Sequence, residues 1–498
     1  MKRSCGILMH ISSLPGRYGI GTMGKEAFAF VDFLKEAGQT YWQMLPVTPT
    51  GYSDSPYQSA CSFAGNPYLI DLDLLVEEGL LTEEECDCDW GNDPKNVDYG
   101  KLWENRFVVL RKAFERFDRR KMASFRAQNA DWIEDYALFT ALKTRFNNKP
   151  WYEWDDEAIV SREPVAISYY QQTLVHDIDF QCFLQYEFSK QFDALKAYAY
   201  AKGISIIGDL PIYVPHDSVE VWTQPHLFCM DEQHRPRLLA GVPPDYFTEL
   251  GQLWGNPVYD WPVHYRDNFT WWCHRLERTG ARFDVVRIDH FRGLESFWAV
   301  PYGSEDARPG KWYPSPGMDL IRALKAHCPT VRLIAEDLGY LTPEVKKLLS
   351  DSGLPGMRVL QFGFDPMTDS RELPHNYPIH CVAYTGTHDN SPIMGWLEDT
   401  TPECIEFAVN YLGLSEREGI PFGFIRGVLN SVAELAIIPM QDYLELGNES
   451  RMNLPSSTGW WRFRAEKDNF TPALCDRIRY YAEMSARCEV RPKKKAKA

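Results

Sequence analysis

The chain has 498 residues, a formal net charge of −16 and 24% charged residues. The acidic excess argues against a nucleic-acid partner and suits a neutral substrate, which needs no charge steering. No run of about 18 apolar residues is present, and the apolar run after the basic start is too short for a signal peptide, so no membrane span or leader is expected.

Eight short apolar segments are predicted to be β-strands. They lie at residues 6–9, 41–45, 204–209, 285–289, 333–336, 357–360, 381–385 and 436–439. The gaps between them leave room for the helices that parallel crossovers require. Their number and spacing predict an α/β fold, a TIM (β/α)8 barrel with helical and loop-rich insertions between its strands and no separate C-terminal β-domain.

The chain exceeds the roughly 250 residues of a minimal barrel, so we expect insertions within a catalytic barrel that spans residues 1–490. Residues 74–172 are predicted to form a mainly helical subdomain, because their apolar positions recur at helical spacing. Residues 211–260 are rich in Gly, Pro and aromatic residues and are predicted to form a loop-rich lid. The basic segment 491–498 is predicted to be a disordered tail, with a nucleic-acid contact as the less favoured alternative.

Three of the predicted strands run into carboxylic acids: Asp289, Glu336 and Asp389. Because the strands of a barrel finish on one face, we expect these acids to converge there. For each acid taken alone, a helix N-cap or a solvated loop residue is the alternative. Three acids, two of them beside His, favour an active site, and paired carboxylates are what glycosidic-bond chemistry uses. A barrel with three such acids resembles the α-amylase group.

Six motifs narrow this resemblance. They are residues 51–58 (GYSDSPYQ), 63–71 (FAGNPYLID), 208–214 (GDLPIYV), 251–257 (GQLWGNP), 354–357 (LPGM) and 385–390 (TGTHDN). Together and in this order they resemble the amylomaltases, which are 4-α-glucanotransferases or disproportionating enzymes of glycoside hydrolase family 77. The resemblance extends from about residue 3 to about residue 463.

Carried over to this chain, the resemblance implies that Asp289 is the nucleophile, Glu336 the general acid/base and Asp389 the transition-state stabiliser. Arg287 lies two residues before Asp289, so both side chains point to one side of a strand, and we expect the guanidinium to keep the carboxylate ionised. Glu336 must instead carry a proton, which burial or neighbouring carboxylates would favour. His388 is expected to bind sugar hydroxyls with Asp389, the alternative being a packed or capping histidine.

Sugar rings need flat apolar faces, and aromatic residues in Gly- and Pro-rich motifs are candidates. By resemblance, Tyr57, Tyr246 and Trp254 line the donor and acceptor subsites. Tyr52 would belong to a secondary glucan site away from the acids, although an exposed turn tyrosine is an equal alternative. The remaining substrate contacts implied by the resemblance are Ser55, Asp209, Asn256, His290 and Phe362.

The resemblance favours a retaining transferase that disproportionates maltooligosaccharides through a covalent glycosyl-Asp289 intermediate. An amylase-like hydrolase uses the same acids with water as the acceptor, and a catalytically silent glucan-binding protein is a third possibility. A lid at residues 241–257 that holds an acceptor and excludes water would favour transfer.

The chain departs from the family pattern at three positions. Ser456 stands where Gly is usual, Trp460 where a sugar-contacting Asn is usual, and Ser391 where Asp is common. These departures leave the three acids intact. They affect one expected contact to the donor sugar, and through it the glucan length that the enzyme prefers.

No cofactor or metal is expected, because neither a dinucleotide-binding glycine motif nor a phosphate loop is present and carboxylate catalysis needs neither. The twelve cysteines are scattered, and Cys86 and Cys88 lack partners at a zinc-site spacing, which fits reduced thiols in a cytoplasmic enzyme. The expected partners are maltooligosaccharides and α-1,4-glucans, with no obligate protein partner.

Overall fold

Eight parallel strands close into a barrel in the computed structural model, which describes residues 3–244 and 248–490. In chain order the strands are β1 (Ser4–Leu8), β2 (Tyr41–Gln43), β3 (Ser205–Leu210), β4 (Leu238–Val242), β5 (Gln252–Pro257), β6 (Val285–Ile288), β7 (Ser296–Pro301), β8 (Lys311–Pro314), β9 (Arg332–Ala335), β10 (Gly356–Val359), β11 (Cys381–Tyr384) and β12 (Leu435–Pro439). The barrel follows the order β1, β2, β3, β6, β9, β10, β11, β12 and back to β1. Each predicted strand overlaps one of these eight, and the predicted (β/α)8 barrel is confirmed.

Burial on both faces explains the composition of the barrel strands. β6, β10, β11 and β12 are buried along their whole length. Parallel strands covered by helices on one side and by the barrel interior on the other read as continuous apolar runs. Arg287 in β6 and Arg358 in β10 are exceptions, charged residues in buried strands, and their positions require charged partners.

Gly208 in β3 marks a close approach between the barrel and its helical layer. A Cβ atom at this position would lie 2.1 Å from the ring of Phe283. We therefore expect Gly208→Ala to lower the free energy of unfolding by about 1–3 kcal/mol, because the well-packed ring must move. Urea unfolding measures this change. Gly100→Ala, at an exposed position near the start of a helix, is the matched control and should leave stability equal or slightly higher.

Helices fill the connections between strands. They are α1 (Lys25–Glu36), α2 (Leu72–Glu77), α3 (Tyr99–Arg116), α4 (Ala123–Gln128), α5 (Ile133–Arg145), α6 (Glu157–Val160), α7 (Pro164–Thr173), α8 (Val175–Ala201), α9 (Val219–Thr223), α10 (Trp261–Arg266), α11 (Thr270–Arg282), α12 (Met318–His327), α13 (Pro343–Ser352), α14 (Ile393–Asp399), α15 (Pro402–Leu412), α16 (Ile420–Asn430), α17 (Met440–Tyr443) and α18 (Pro472–Met484). In the described part of the chain, no helix is both long and apolar enough to cross a membrane.

Helices α2 to α7 occupy most of the segment 74–172, between β2 and β3, and the division of the chain into subdomains there stays a prediction. The segment 211–260 holds more regular structure than the loops that its composition suggests. Its strands β4 and β5 join β7 and β8 in a four-stranded antiparallel sheet of order β5, β4, β7, β8. The predicted tail at 491–498 lies outside the described residues.

Candidate active site

Most of the predicted site residues lie at or beyond the carboxyl ends of the barrel strands. Asp209 lies near the end of β3, and Asp289 and Glu336 directly follow the paired strands β6 and β9. Asp389 lies in the loop after β11. This is the face on which a barrel of this type builds its active site.

Arg287 is the electrostatic centre of the group. Its guanidinium donates to both carboxylate oxygens of Asp209, at 2.6 and 3.1 Å, and to Oδ1 of Asp289 at 2.9 Å. The side chains of Arg287 and Asp209 are only 4% and 1% exposed. Tyr57 donates its hydroxyl to Asp209 at 2.6 Å. A buried ion pair is favourable only when its geometry is good and its remaining polar groups are hydrogen-bonded, and the bonds to Asp209 meet both conditions. The hydrogen bond from the same guanidinium then fixes the orientation of the Asp289 carboxylate.

Burial raises the pKa of both acids that flank the predicted reaction centre. Glu336 accepts from the backbone N–H groups of His290, at 2.8 Å, and Leu338, at 2.7 Å. Burial, with a further contribution from the charge of Asp289, raises the pKa of Glu336 to about 8. Burial also raises the pKa of Asp289 to about 7, although Arg287 lowers it. The guanidinium of Arg287 was expected to keep Asp289 ionised, but burial outweighs it and the net pKa of Asp289 is raised; the pKa of Glu336 is raised as expected.

Asp389 lies beside a stack of rings. Its Oδ2 is 3.4 Å from Nε2 of His388, and its Oδ1 accepts from Nδ2 of Asn453 at 2.6 Å. The rings of His388 and Tyr57 are nearly parallel, with centroids 5.3 Å apart, and Trp461 lies against both. Burial lowers the pKa of His388 while Asp389 raises it, with a net lowering. A neutral imidazole therefore borders Asp389 at neutral pH.

Trp254 lies in β5 rather than in a loop. Its ring meets that of His290 edge to face, with centroids 4.9 Å apart, and its indole N–H donates to Gln252 at 3.1 Å. His290 has a left-handed backbone conformation, with φ of 47°. Burial lowers the pKa of His290 to about 3, so its ring is neutral beside Glu336. The outer sheet thus places the ring of Trp254 against His290, whose backbone N–H donates to the predicted general acid.

The other predicted substrate contacts differ in their hydrogen bonds and in their exposure to solvent. Ser55 accepts from the backbone N–H of Tyr57, and Asn256 accepts from the side chain of Gln58. Phe362 lies beyond the end of β10, with 47% of the residue exposed. Tyr246 lies outside the described residues, as does the side chain of Tyr52.

The three departures from the family pattern have local structural counterparts. Ser456 adopts a φ of 64°, in the left-handed region that favours glycine, which accounts for the usual Gly there. Trp460 donates its indole N–H to Ser457 within the same loop, at 2.5 Å. Ser391 donates its hydroxyl to Asp399 at 2.5 Å.

Asn453 and Trp461 join this group without having been predicted from the sequence. Asn453 lies in the segment 451–455 (RMNLP), and only its proximity to the acids could have singled it out. Trp461 is buried and has a left-handed backbone, which the sequence does not reveal. Within the described residues, no cluster of His, Cys, Asp and Glu is arranged to hold a metal ion, and the cysteines form no disulfide.

A family model described as 4-alpha-glucanotransferase matches residues 9–469. The chain is 46% identical to a 4-alpha-glucanotransferase of Clostridium butyricum over 488 residues, which cover 97% of this chain and 100% of that relative. It is 45% identical to the enzyme of the same name from Thermus thermophilus, over 98% of this chain and 99% of the relative. The solved amylomaltase from Streptococcus agalactiae, in complex with acarbose, is 43% identical and superimposes with a TM-score of 0.96 over 98% of this chain and 100% of that one. The chain therefore belongs to the 4-alpha-glucanotransferase family.

Proposed function

We propose that the protein is a retaining 4-α-glucanotransferase that moves α-1,4-glucan segments between maltooligosaccharides through a covalent intermediate on Asp289. Family membership supplies the enzyme class. The observation that supports the mechanism is the pairing of two acids at adjacent strand ends. Asp289 accepts from Arg287, which opposes the rise in its pKa, whereas burial and the charge of Asp289 raise the pKa of Glu336. A nucleophile and a proton donor need this difference.

In the first step, the Asp289 carboxylate attacks the anomeric carbon while Glu336 gives its proton to the glycosidic oxygen. The bond to the leaving glucan breaks, and a glycosyl ester on Asp289 forms. In the second step, Glu336 takes the proton of an acceptor 4-hydroxyl, whose oxygen attacks the anomeric carbon and releases Asp289. Two inversions leave the new linkage in the α configuration.

Asp389 and His388 are proposed to bind hydroxyls of the reacting sugar. Their positions beside Tyr57 and Asn453 support this role, because the stacked rings present a flat border and the hydrogen bond fixes the carboxylate. Hydrogen bonds to sugar hydroxyls strengthen as the ring flattens toward the oxocarbenium ion, so they contribute mainly to the rate.

Transfer rather than hydrolysis requires that a glucan reach the intermediate before water does. The ring contact between Trp254 in β5 and His290 supports an acceptor subsite beside Glu336. An aromatic face there would hold an acceptor sugar and exclude water. We also propose a cytoplasmic location, which the lack of disulfides among the described cysteines supports.

Incubation with maltotriose alone tests the function. A ladder of longer maltooligosaccharides plus glucose, at constant reducing ends, is expected. Rising reducing ends without longer products would mean a hydrolase. Binding without any new product would mean a silent glucan-binding protein.

The pH profile of kcat/KM is expected to be bell-shaped, with both limbs displaced upward from the ordinary pKa values of carboxylic acids. Asp289 must be ionised, so the rate falls as the pH drops below its raised pKa of about 7. Glu336 must be protonated, so the rate falls as the pH rises above its raised pKa of about 8. Initial rates on maltotriose across this range measure both limbs. A rate that stays constant well above pH 8 would contradict the role of Glu336.

A further inference from the structure

Arg451 joins the loop after β11 to the loop after β12. Its guanidinium donates to the backbone carbonyl of Asp389 at 2.6 Å and to that of Asn453 at 2.7 Å. The guanidinium also donates to the hydroxyl of Ser391 at 2.9 Å, and this hydroxyl donates to Asp399. One guanidinium thus binds two backbone carbonyls and one hydroxyl from two loops. The planar arrangement of its N–H groups suits these three acceptors, whereas the ammonium of a lysine does not.

Asn453 also links the two loops, through its backbone and through its side chain. Its backbone N–H donates to the carbonyl of His388 at 3.0 Å, and its side-chain amide donates to Oδ1 of Asp389 at 2.6 Å. The other carboxylate oxygen, Oδ2, is 3.4 Å from His388. Arg451 binds the backbone carbonyl of Asn453 and the backbone carbonyl of Asp389. The side-chain amide of Asn453 and the carboxylate of Asp389 therefore keep a fixed relative position.

We propose that Arg451 and Asn453 are positioning residues for transfer: Asn453 orients the Asp389 carboxylate toward the sugar, and Arg451 holds the two loops in register. The inference rests on the proposed role of Asp389. It assigns a catalytic contribution to the loop after β12, whose residues lie outside the group of three acids. A hydrogen bond to a charged group supplies both direction and energy.

Among the residues that the structure describes, four titratable or charged groups face Asp389 from the elements around it. They are His388 from the same loop, Arg451 from the loop after β12, Asp289 from the end of β6 and Tyr57 from the loop after β2. The amide of Asn453 differs from all of them, because it donates without carrying charge. Its replacement by a carboxyl group therefore gives a pH-dependent signal that a purely structural role would not give.

The test compares Asn453→Ala with Asn453→Asp in maltotriose disproportionation. Asn453→Ala is expected to lower kcat roughly 10- to 100-fold, as for one lost hydrogen bond to a charged group, with little change in KM. Asn453→Asp preserves the side-chain size but sets a second carboxylate against Asp389, so its loss should be larger at high pH. As the pH falls, the introduced acid gains a proton and can donate again. The ratio of the Asn453→Asp rate to the Asn453→Ala rate should therefore rise.

Asn96→Asp is the matched control, because Asn96 donates to the carboxylate of Asp93 at 2.7 Å at an exposed position. Its kcat should equal that of the wild type. For Arg451, the Ala variant should lose activity and regain part of it with added methylguanidinium, whereas Lys should not replace Arg. Thermal melting of each variant separates loss of folding from loss of rate.

The outcomes distinguish this inference from the proposed function. If Asp389→Asn is inactive while Asn453→Ala and Arg451→Ala keep the wild-type kcat, the positioning role is wrong and the role of Asp389 stands. A rate ratio between the two Asn453 variants that does not change with pH also overturns the positioning role. If Asp389→Asn is as active as the wild type, the proposed role of Asp389 itself fails.

Discussion

Asp289→Asn is expected to lower kcat/KM for transfer roughly 10⁴-fold or more, because an amide does not form the glycosyl ester. The loss should be equally large with maltotriose and with α-maltosyl fluoride, a donor whose leaving group needs no proton. Asparagine retains a side-chain oxygen that can accept from Arg287, which donates to Asp289 at 2.9 Å, so the local packing should persist. Initial rates with both donors, together with circular dichroism, measure the effect.

Asp118→Asn is the matched control for this substitution. Asp118 is also bonded to an arginine two residues away, Arg120, at 2.8 Å, but it lies in the helical segment between β2 and β3. Its kcat/KM should stay within about twofold of the wild type, since surface substitutions rarely matter. A residual activity of more than a few per cent in Asp289→Asn would exclude this residue as the nucleophile.

Glu336→Gln is expected to lower kcat on maltotriose roughly 10²- to 10⁴-fold, because a glutamine cannot protonate the leaving oxygen. With α-maltosyl fluoride the first step should recover, since fluoride departs without a proton. The second step should stay slow, because no base removes the proton of the acceptor. A burst of one fluoride per enzyme molecule, followed by slow turnover, is the expected time course.

Glu372→Gln controls for the loss of a buried acid. Glu372 accepts from the backbone N–H of Val359 at 2.8 Å, as Glu336 does from that of His290, and it lies outside the group of three acids. Its rates should resemble those of the wild type with both donors. An equal loss on maltotriose and on the fluoride in Glu336→Gln would mean that Glu336 does not act as the proton donor.

The barrel strands were predictable because their burial is local and continuous. The predicted strand ends differ from the observed ones by at most two residues, as at 41–45 against Tyr41–Gln43. In a parallel sheet covered on both faces, an apolar run followed by a charged residue marks both the strand and its end. The same signal located Asp289, Glu336 and Asp389 at the carboxyl ends of their strands.

The outer sheet was not predictable in the same way. β4 pairs with β7, from which it is separated by more than 50 residues, and β5 contains Gly255 at a positive φ. Glycine and proline in a segment indicate loops, and the pairing partner that overrides this tendency is distant in the chain. Trp254 was therefore placed in a loop, although it stands on a strand.

The electrostatics of the site depended on burial that the sequence does not show. The two-residue spacing of Arg287 and Asp289 correctly placed their side chains in contact. The net direction of the Asp289 pKa shift was missed, because enclosure by the surrounding loops outweighs the nearby arginine. Asn453 likewise became visible only when the loops after β11 and β12 were brought together.

Mass spectrometry of Glu336→Gln after mixing with α-maltosyl fluoride tests the covalent mechanism most directly. The slow second step should let the intermediate accumulate, so we expect one added maltosyl group per protein molecule. After digestion at low pH, this group should lie on the peptide that contains Asp289. No added mass during fluoride release, or a maltosyl group on any other peptide, would contradict a glycosyl intermediate on Asp289.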